Sequence, residues 1–225
     1  MIPLRDIIPS RTRPVTTVAL IAINTLVFLY EVSLPQTQLR AFTRHYGLVP
    51  ASFSWLSVFT SLFLHGGWLH CIGNMWCLWI FGDNVEDRMG HGRFLVFYLL
   101  CGMLAVCGHV LVDPFSLVPT IGASGAIAGV MGAYLVLYPR SRILTLIPIV
   151  IFFPVVEIPA VYFLGFWFVI QLFSGVGSLA TSGGAPAGGV AFWAHVGGFV
   201  AGVLGVFVFR RRERQRVEWW HDLNG

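Results

Sequence analysis

Residues 122–134 read GASGAIAGVMGAY, a run of small residues with a single serine, Ser124, near its start. Gly125 and Gly129 are four residues apart, so they share one face of a helix. Small residues at this spacing let helices approach closely inside a membrane, where association depends on van der Waals packing. The run therefore predicts a short helix that lies at the centre of a bundle and is surrounded by protein.

The composition of the whole chain predicts a membrane protein. Of its 225 residues, 56% are hydrophobic and 11% are charged, and the mean hydropathy is +0.78. Soluble domains average about 25% charged residues. All 14 basic residues are arginines, which lie in short clusters between apolar runs rather than on one basic surface. This pattern indicates membrane topology and argues against nucleic-acid binding.

Six apolar stretches are candidates for membrane-spanning helices, because about 20 apolar residues cross a bilayer and fewer suffice where protein surrounds the helix. They are residues 15–33, 67–82, 93–112, 123–138, 156–175 and 191–209. Residues 34–66 are amphipathic and are predicted to lie on the membrane surface. Residues 143–155 contain two prolines and are interpreted as a re-entrant or interfacial lead into the fifth span. The predicted fold is an all-α six-helix bundle with a short central fourth helix and an interfacial first external loop.

The arginines predict the orientation of this bundle. Twelve of them precede span one, follow span six, or lie between spans two and three or four and five; only Arg40 and Arg44 fall on the other side. Cytoplasmic loops carry an excess of arginine, so both termini are predicted to be cytoplasmic. The predicted parts are an N-terminal cytoplasmic segment (1–14), a membrane domain (15–209) and a basic cytoplasmic tail (210–225) in a prokaryotic cytoplasmic membrane.

This topology brings four polar residues to one depth near the outer surface. Spans two, four and six run in the same direction, and their first turns hold His70 and Asn74, Ser124, and His195 in that order. Ionisable and polar groups inside a membrane are costly and usually functional. The glycines predicted to pack these helices together are Gly122, Gly125, Gly129, Gly198 and Gly202. We therefore expect Ser124 and His195 to lie within reach of each other.

The four polar residues suit acyl transfer. A serine hydroxyl becomes a nucleophile when a base within hydrogen-bond distance takes its proton, and histidine is suited to that role. Ser124 and His195 are therefore a candidate dyad. The candidate oxyanion donors are His70, Asn74 and the backbone at Ser124, where the fourth span begins and its N–H groups are unpaired. The site needs water, and the Gly- and Ser-rich residues 174–189 are a candidate mobile loop over it. The spacing of Cys71, Cys77, Cys101 and Cys107 suits neither disulfides nor a zinc site, so these residues are interpreted as buried apolar side chains.

Three motifs resemble those of the rhomboid family of intramembrane serine proteases. They are HGGWLHCIGNMW (65–76), GASG (122–125) and AHVGGFVAG (194–202), which fall in order on spans two, four and six. The resemblance implies a protease that cleaves transmembrane segments of other membrane proteins within the bilayer, without a cofactor. By motif match, Ser124 is the nucleophile, His195 is the general base, and His70 and Asn74 occupy oxyanion-stabilising positions.

Two positions depart from the family pattern. Some rhomboids carry a tyrosine one helical turn after the serine, stacked on the histidine, and here that position is Ala128. Another group must then orient the imidazole. The Trp-Arg pair of the family's first external loop is also absent, because Trp55 is followed by Leu56.

Two alternatives belong to other functional classes. A catalytically inactive relative could bind membrane segments as a chaperone or adaptor, although this chain keeps the serine, the histidine and the donors. A transporter or channel would use intramembrane polar residues to line a path, and Glu157, in or beside the fifth span, is the residue that raises this alternative. No inverted repeat supports it.

Overall fold

The computed structural model describes residues 1–181 and 191–211. Eight α-helices account for most of these residues. They are α1 (Val15–Ser33), α2 (Gln36–Tyr46), α3 (Trp55–Thr60), α4 (Trp68–Met89), α5 (His91–Val112), α6 (Ser124–Leu137), α7 (Ala160–Thr181) and α8 (Phe192–Phe209). Three short strands are also present: β1 (Ile2–Asp6), β2 (Arg142–Leu146) and β3 (Val155–Pro159). The predicted cytoplasmic tail lies outside the described residues beyond position 211, as do residues 182–189 of the candidate mobile loop. Residues 174–181, the first part of that predicted loop, belong to helix α7 instead.

Four helices are long and apolar enough to cross a bilayer within the described part of the chain. They are α1, α5, α7 over Ala160–Ser178, and α8. The prediction of a multi-pass membrane protein is therefore confirmed. Helix α6 is shorter and apolar, and α4 ends in a polar turn that includes Asp83, Glu86 and Asp87. The count of six spans stays a prediction.

Helix α6 lies at the centre of the bundle. Every residue from Gly125 to Tyr134 is buried, as expected of a short helix enclosed by protein. Its backbone nearly touches that of α8, since a Cβ added to Gly198 would lie 2.0 Å from Gly125 O, and one added to Gly202 would lie 1.9 Å from Gly129 O. The small residues therefore set the distance between the helices that carry Ser124 and His195.

The helices agree with the predicted all-α class, and a small three-stranded antiparallel sheet in the order β1-β2-β3 is an addition that the sequence did not predict. Residues 143–155 are not a re-entrant lead, because β2 and β3 pair with each other across the connection 147–154. Pro148 and Pro154 lie in that connection, where the missing amide hydrogen costs no ladder bond. The fifth span, predicted from residue 156, begins as a helix only at Ala160.

The sheet also accounts for Glu157. This residue lies on β3 rather than in a spanning helix, and its Oε2 accepts a hydrogen bond from Arg142 Nη1 at 3.0 Å. Both side chains are exposed, with relative accessibilities of 46% and 60%. Glu157 is therefore not a polar residue inside a spanning helix, where it could line a transport path. The observation that suggested a transporter no longer supports one.

The N-terminal segment is attached to the end of the bundle away from Ser124. Asp6 Oδ2 accepts hydrogen bonds from Tyr134 Oη at 2.7 Å and from Asn84 Nδ2 at 2.8 Å. Trp76 Nε1 donates to Pro3 O at 2.6 Å. Tyr134 is ten residues beyond Ser124 on α6, or about 15 Å along the axis. The segment therefore packs against α4 and α6, far from the candidate site.

Candidate active site

Ser124 and His195 are hydrogen-bonded to each other. Ser124 is the first residue of α6, and His195 is in the first turn of α8. The distance from Ser124 Oγ to His195 Nε2 is 2.8 Å. Both side chains are partly accessible. The structure thus brings together the two residues that the sequence predicted to meet, at one end of the two helices whose backbones touch.

Gln171 on α7 holds the other nitrogen of the imidazole. Its Oε1 lies 2.7 Å from His195 Nδ1, and the side chain is buried, with 8% of its surface accessible. An amide oxygen can only accept, so Nδ1 carries the ring proton and Nε2 is left with a lone pair for the Ser124 hydroxyl. The three side chains therefore form one directional chain of hydrogen bonds, from serine to histidine to glutamine.

Sequence reasoning missed Gln171. The available signal was a single amide side chain in the apolar run of α7, FVIQLF at 168–173. Polar side chains in such runs usually face a partner. Its pairing with His195 could not be derived, because the register between α7 and α8 depends on the packed structure.

The aromatic contact to the imidazole also comes from α7. The ring of Trp167, one turn before Gln171, has its centroid 5.9 Å from that of His195, at an interplanar angle of 34°. Trp167 packs against Phe199 as well, at 6.0 Å. Ala128 is buried in α6 and has no aromatic ring. The histidine is therefore oriented from α7, by Gln171 and Trp167.

Gly122 leaves a small space between His70 and Ser124. A Cβ at position 122 would lie 2.8 Å from His70 Nε2 and 3.6 Å from Ser124 Oγ. Gly122 has a φ of +128°, which L side chains rarely adopt. Both the backbone conformation and the surroundings therefore require glycine here, and the vacated space adjoins the serine hydroxyl.

His70 and Asn74 present donors on one face of α4. Gly66 N–H donates to His70 Nδ1 at 3.3 Å, so the ring proton of a neutral His70 is on Nε2, which faces the space beside Gly122. Asn74, one turn later, is buried, and its Nδ2 has no hydrogen-bond partner among the described residues. Buried donors are normally satisfied. An acceptor supplied by a bound molecule would satisfy this one.

The cysteines take no part in this arrangement. Cys71, Cys77, Cys101 and Cys107 form no disulfide, and Cys71 and Cys101 are buried. Within residues 1–181 and 191–211, no group of three or more His, Cys, Asp or Glu side chains could hold a metal ion.

Comparison with known proteins shows the family to which the chain is similar. A model of the rhomboid domain matches residues 52–212. The chain is 36% identical to the rhomboid protease GluP of Bacillus subtilis over 134 residues, which are 58% of this chain and 26% of GluP. It is 31% identical to the mitochondrial Rhomboid protein 1 of Saccharomyces cerevisiae over 215 residues, 92% of this chain and 57% of the yeast protein.

A third relative is the putative rhomboid protease YdcA of Bacillus subtilis, 34% identical over 90 residues, which are 40% of this chain and 45% of YdcA. The chain thus spans between about a quarter and somewhat more than half of the length of these three relatives. The domain match covers most of the chain and includes Ser124, His195, His70 and Asn74. The chain belongs to the rhomboid family.

Proposed function

We propose that this protein is an intramembrane serine endopeptidase that hydrolyses peptide bonds in or near the transmembrane segments of membrane-protein substrates. The observation that carries the proposal is the continuous hydrogen bonding of Ser124, His195 and Gln171. A hydroxyl that donates to an imidazole whose other nitrogen is held by an acceptor has the geometry needed to activate a serine. Family membership supports peptide bonds as the substrate class.

Acylation begins when His195 Nε2 takes the proton of Ser124 and Oγ bonds to the carbonyl carbon of the substrate. The carbonyl π electrons move to the oxygen, which becomes an oxyanion. When they return, the C–N bond breaks, and His195 gives its proton to the departing amine. A water molecule, with His195 again as base, then attacks the acyl ester, releases the carboxyl product and restores the Ser124 hydroxyl.

The oxyanion would form beside Gly122. His70 Nε2–H flanks that space, Asn74 offers an amide N–H from the same face of α4, and the first N–H groups of α6 have no intrahelical partner. Donors fixed in place before the reaction stabilise the developing charge without reorganisation, an effect of about 3–4 kcal/mol per donor in other serine proteases. These donors fit the same reaction as the serine and histidine.

Gln171 is a positioning residue in this mechanism. It does not touch the substrate; it accepts the Nδ1–H of His195, which keeps the lone pair of Nε2 directed at Ser124. The same bond stabilises the imidazolium that forms when Ser124 is deprotonated, although a neutral amide does so less than a carboxylate.

The arginine distribution and the position of the site support six spans, with both termini in the cytoplasm and the site open to the external or periplasmic side of a cell membrane. In that arrangement α4 and α6 would be the second and fourth spans, partly surrounded by protein. Water would reach Ser124 from the outer surface, and substrate segments would approach from the bilayer.

The proposal is tested by co-expressing the protein with single-span substrates and measuring shed fragments by mass spectrometry. Ser124→Ala and His195→Ala should each lower cleavage by at least about 10³-fold. Ser33→Ala and His45→Ala, which change exposed residues of the same types, should cleave at the wild-type rate. Cleavage that survives Ser124→Ala would refute the proposal.

Labelling by a fluorophosphonate separates a protease from an inactive binding protein. The reagent should label the wild-type protein at Ser124 and fail to label the alanine variant. A wild-type protein that binds membrane segments but is neither labelled nor active would instead be an adaptor.

A further inference from the structure

A cavity of about 470 Å³ opens beside the candidate active site and takes no part in the mechanism above. It lies between the end of α1, helix α2, the loop 65–67 that precedes α4, and residues 119–121 that precede α6. It is therefore at the same end of the bundle as Ser124. Its wall includes the apolar rings of Phe28 and Trp68, its interior holds Glu31 and His65, and Arg40 and Arg44 also line it.

The interior of the cavity is polar and incompletely hydrogen-bonded. Glu31 is 1% accessible; its Oε2 accepts the backbone N–H of His65 at 3.0 Å, but its Oε1 has no partner among the described residues. Neither ring nitrogen of the buried His65 has one either. A buried carboxylate oxygen without a donor costs free energy. The missing partner is one that donates hydrogen bonds and, facing a carboxylate, preferably carries a positive charge.

His65 adds an acceptor to this interior. Burial lowers the pKa of its imidazole to about 4, so the ring is neutral at neutral pH and one nitrogen presents a lone pair. A carboxylate and a neutral imidazole that line one cavity match the several N–H groups of one primary ammonium.

Arg40 and Arg44 make the mouth of the cavity suitable for an anion, whereas its interior suits a cation. They are one turn apart on α2, both are exposed, and neither has a carboxylate within 4 Å among the described residues. Guanidinium groups bind phosphate oxygens in bidentate geometry. Arg40 and Arg44 are also the two arginines on the predicted external side, opposite to the other twelve. The excess of arginine in cytoplasmic loops therefore does not explain their presence.

We propose that this cavity binds the headgroup of phosphatidylethanolamine, with the primary ammonium on Glu31 and His65 and the phosphate on Arg40 and Arg44. One such headgroup carries both charges in the order that the cavity requires, ammonium inside and phosphate at the mouth. A choline headgroup has no N–H to give to Glu31, and a glycerol headgroup has no cation. A membrane lipid, rather than a soluble molecule, is the source of the headgroup. Helix α1 is a spanning helix, so the acyl chains of a lipid bound here would remain in the bilayer beside α1.

The test is native mass spectrometry of the full-length protein, delipidated in detergent and offered equal amounts of dioleoyl phosphatidylethanolamine, phosphatidylcholine and phosphatidylglycerol. Phosphatidylethanolamine should occupy the protein about tenfold more than either other lipid. The double variant Arg40→Gln with Arg44→Gln should lower the occupancy by phosphatidylethanolamine about tenfold. The control is Arg93→Gln with Arg140→Gln, which removes the same charge from exposed positions on other segments and should change nothing. Glu31→Gln should abolish the preference over phosphatidylcholine.

Equal retention of the three lipids by the wild-type protein would overturn the proposal, as would equal losses in the two double arginine variants. Because Arg40 and Arg44 are exposed, their variants decide the question even if Glu31→Gln does not fold. Soluble glycerophosphoethanolamine should displace the lipid only in large excess. Displacement at equal concentration would show a site for a soluble zwitterion and would overturn the lipid assignment. None of these outcomes depends on proteolytic activity.

Discussion

Gln171 Oε1 accepts the proton on His195 Nδ1 at 2.7 Å, and this bond joins α7 to the hydrogen-bonded pair on α6 and α8. In serine proteases with a triad, a carboxylate occupies the corresponding place. Here the acceptor is a neutral amide on a spanning helix. The orientation of the imidazole therefore depends on where α7 sits.

Substitutions of Gln171 should show whether this residue orients the His195 imidazole or only stabilises the fold. Gln171→Leu removes the acceptor and should lower kcat by about 10- to 100-fold with a small change in KM, the cost of one buried hydrogen bond that is lost. Gln171→Glu restores an acceptor, so it should recover activity and move the acid limb of the kcat–pH profile to higher pH, because a carboxylate stabilises the imidazolium. Gln38→Leu, at an exposed position of α2, is the control. A loss of activity in Gln171→Glu equal to that in Gln171→Leu, with an unmoved profile, would show that the residue is merely structural.

Gly122→Ala should block the space beside Ser124. Its Cβ would lie 2.8 Å from His70 Nε2, and the backbone would be strained at a φ of +128°. We expect kcat to fall by at least about 100-fold, the effect of losing one oxyanion donor. Gly73→Ala on α4, whose Cβ would meet nothing within 4 Å, serves as the matched control. A wild-type rate in Gly122→Ala would place the oxyanion elsewhere.

Gly202→Ala should weaken the bundle itself. The added methyl would lie 1.9 Å from Gly129 O, so α6 and α8 must move apart. Overpacking of this kind costs about 1–3 kcal/mol, and thermal unfolding in detergent should show a lower Tm. Gly108→Ala on α5, which meets nothing within 4 Å, should leave Tm unchanged or raise it, because alanine favours helix. Equal Tm values in the two variants would contradict the close contact.

Asp6 should make stability depend on pH. Burial raises the pKa of Asp6 from 3.8 to about 6, although the hydrogen bond from Tyr134 opposes the shift. The folded state therefore holds the proton more tightly than the unfolded chain, so the stabilisation is fully present below pH 3.8 and is lost as the pH rises through about 6. Asp6→Asn cannot ionise, and its Tm relative to the wild type should rise between pH 4.5 and pH 8. A Tm difference that stays constant over this range would show that Asp6 does not titrate in the folded state.

The meeting of Ser124 and His195 followed from sequence because it needed only topology and small residues. Three helices that run in one direction bring their first turns to one depth, and the glycines of α6 and α8 predict that those two helices touch. Both inferences use local patterns, and neither depends on a specific side-chain register. The 2.8 Å distance agrees with them.

Features that depend on non-local pairing were missed. Strand β1 at the N-terminus pairs with β2 more than a hundred residues later, and five-residue strands carry too little pattern to reveal such a partner. Residues 156–159, which are predicted to begin the fifth span, belong to β3 for the same reason, so Glu157 lies beside that span rather than in it. Gln171 was overlooked because its partner is on another helix, and the polar cavity because its lining comes from four separate segments.

The proton positions of the two imidazoles have an electrical consequence. His70 accepts at Nδ1 from Gly66, while His195 accepts at Nε2 from Ser124, so each ring is uncharged before substrate arrives. Ser124, Asn74 and Gln171 are uncharged as well. The resting constellation thus contains no ion whose transfer out of water must be compensated in a medium of low polarity. In the proposed reaction, separated charges would exist there only for the brief life of the tetrahedral species, whereas an aspartate in place of Gln171 would place a permanent charge in the site.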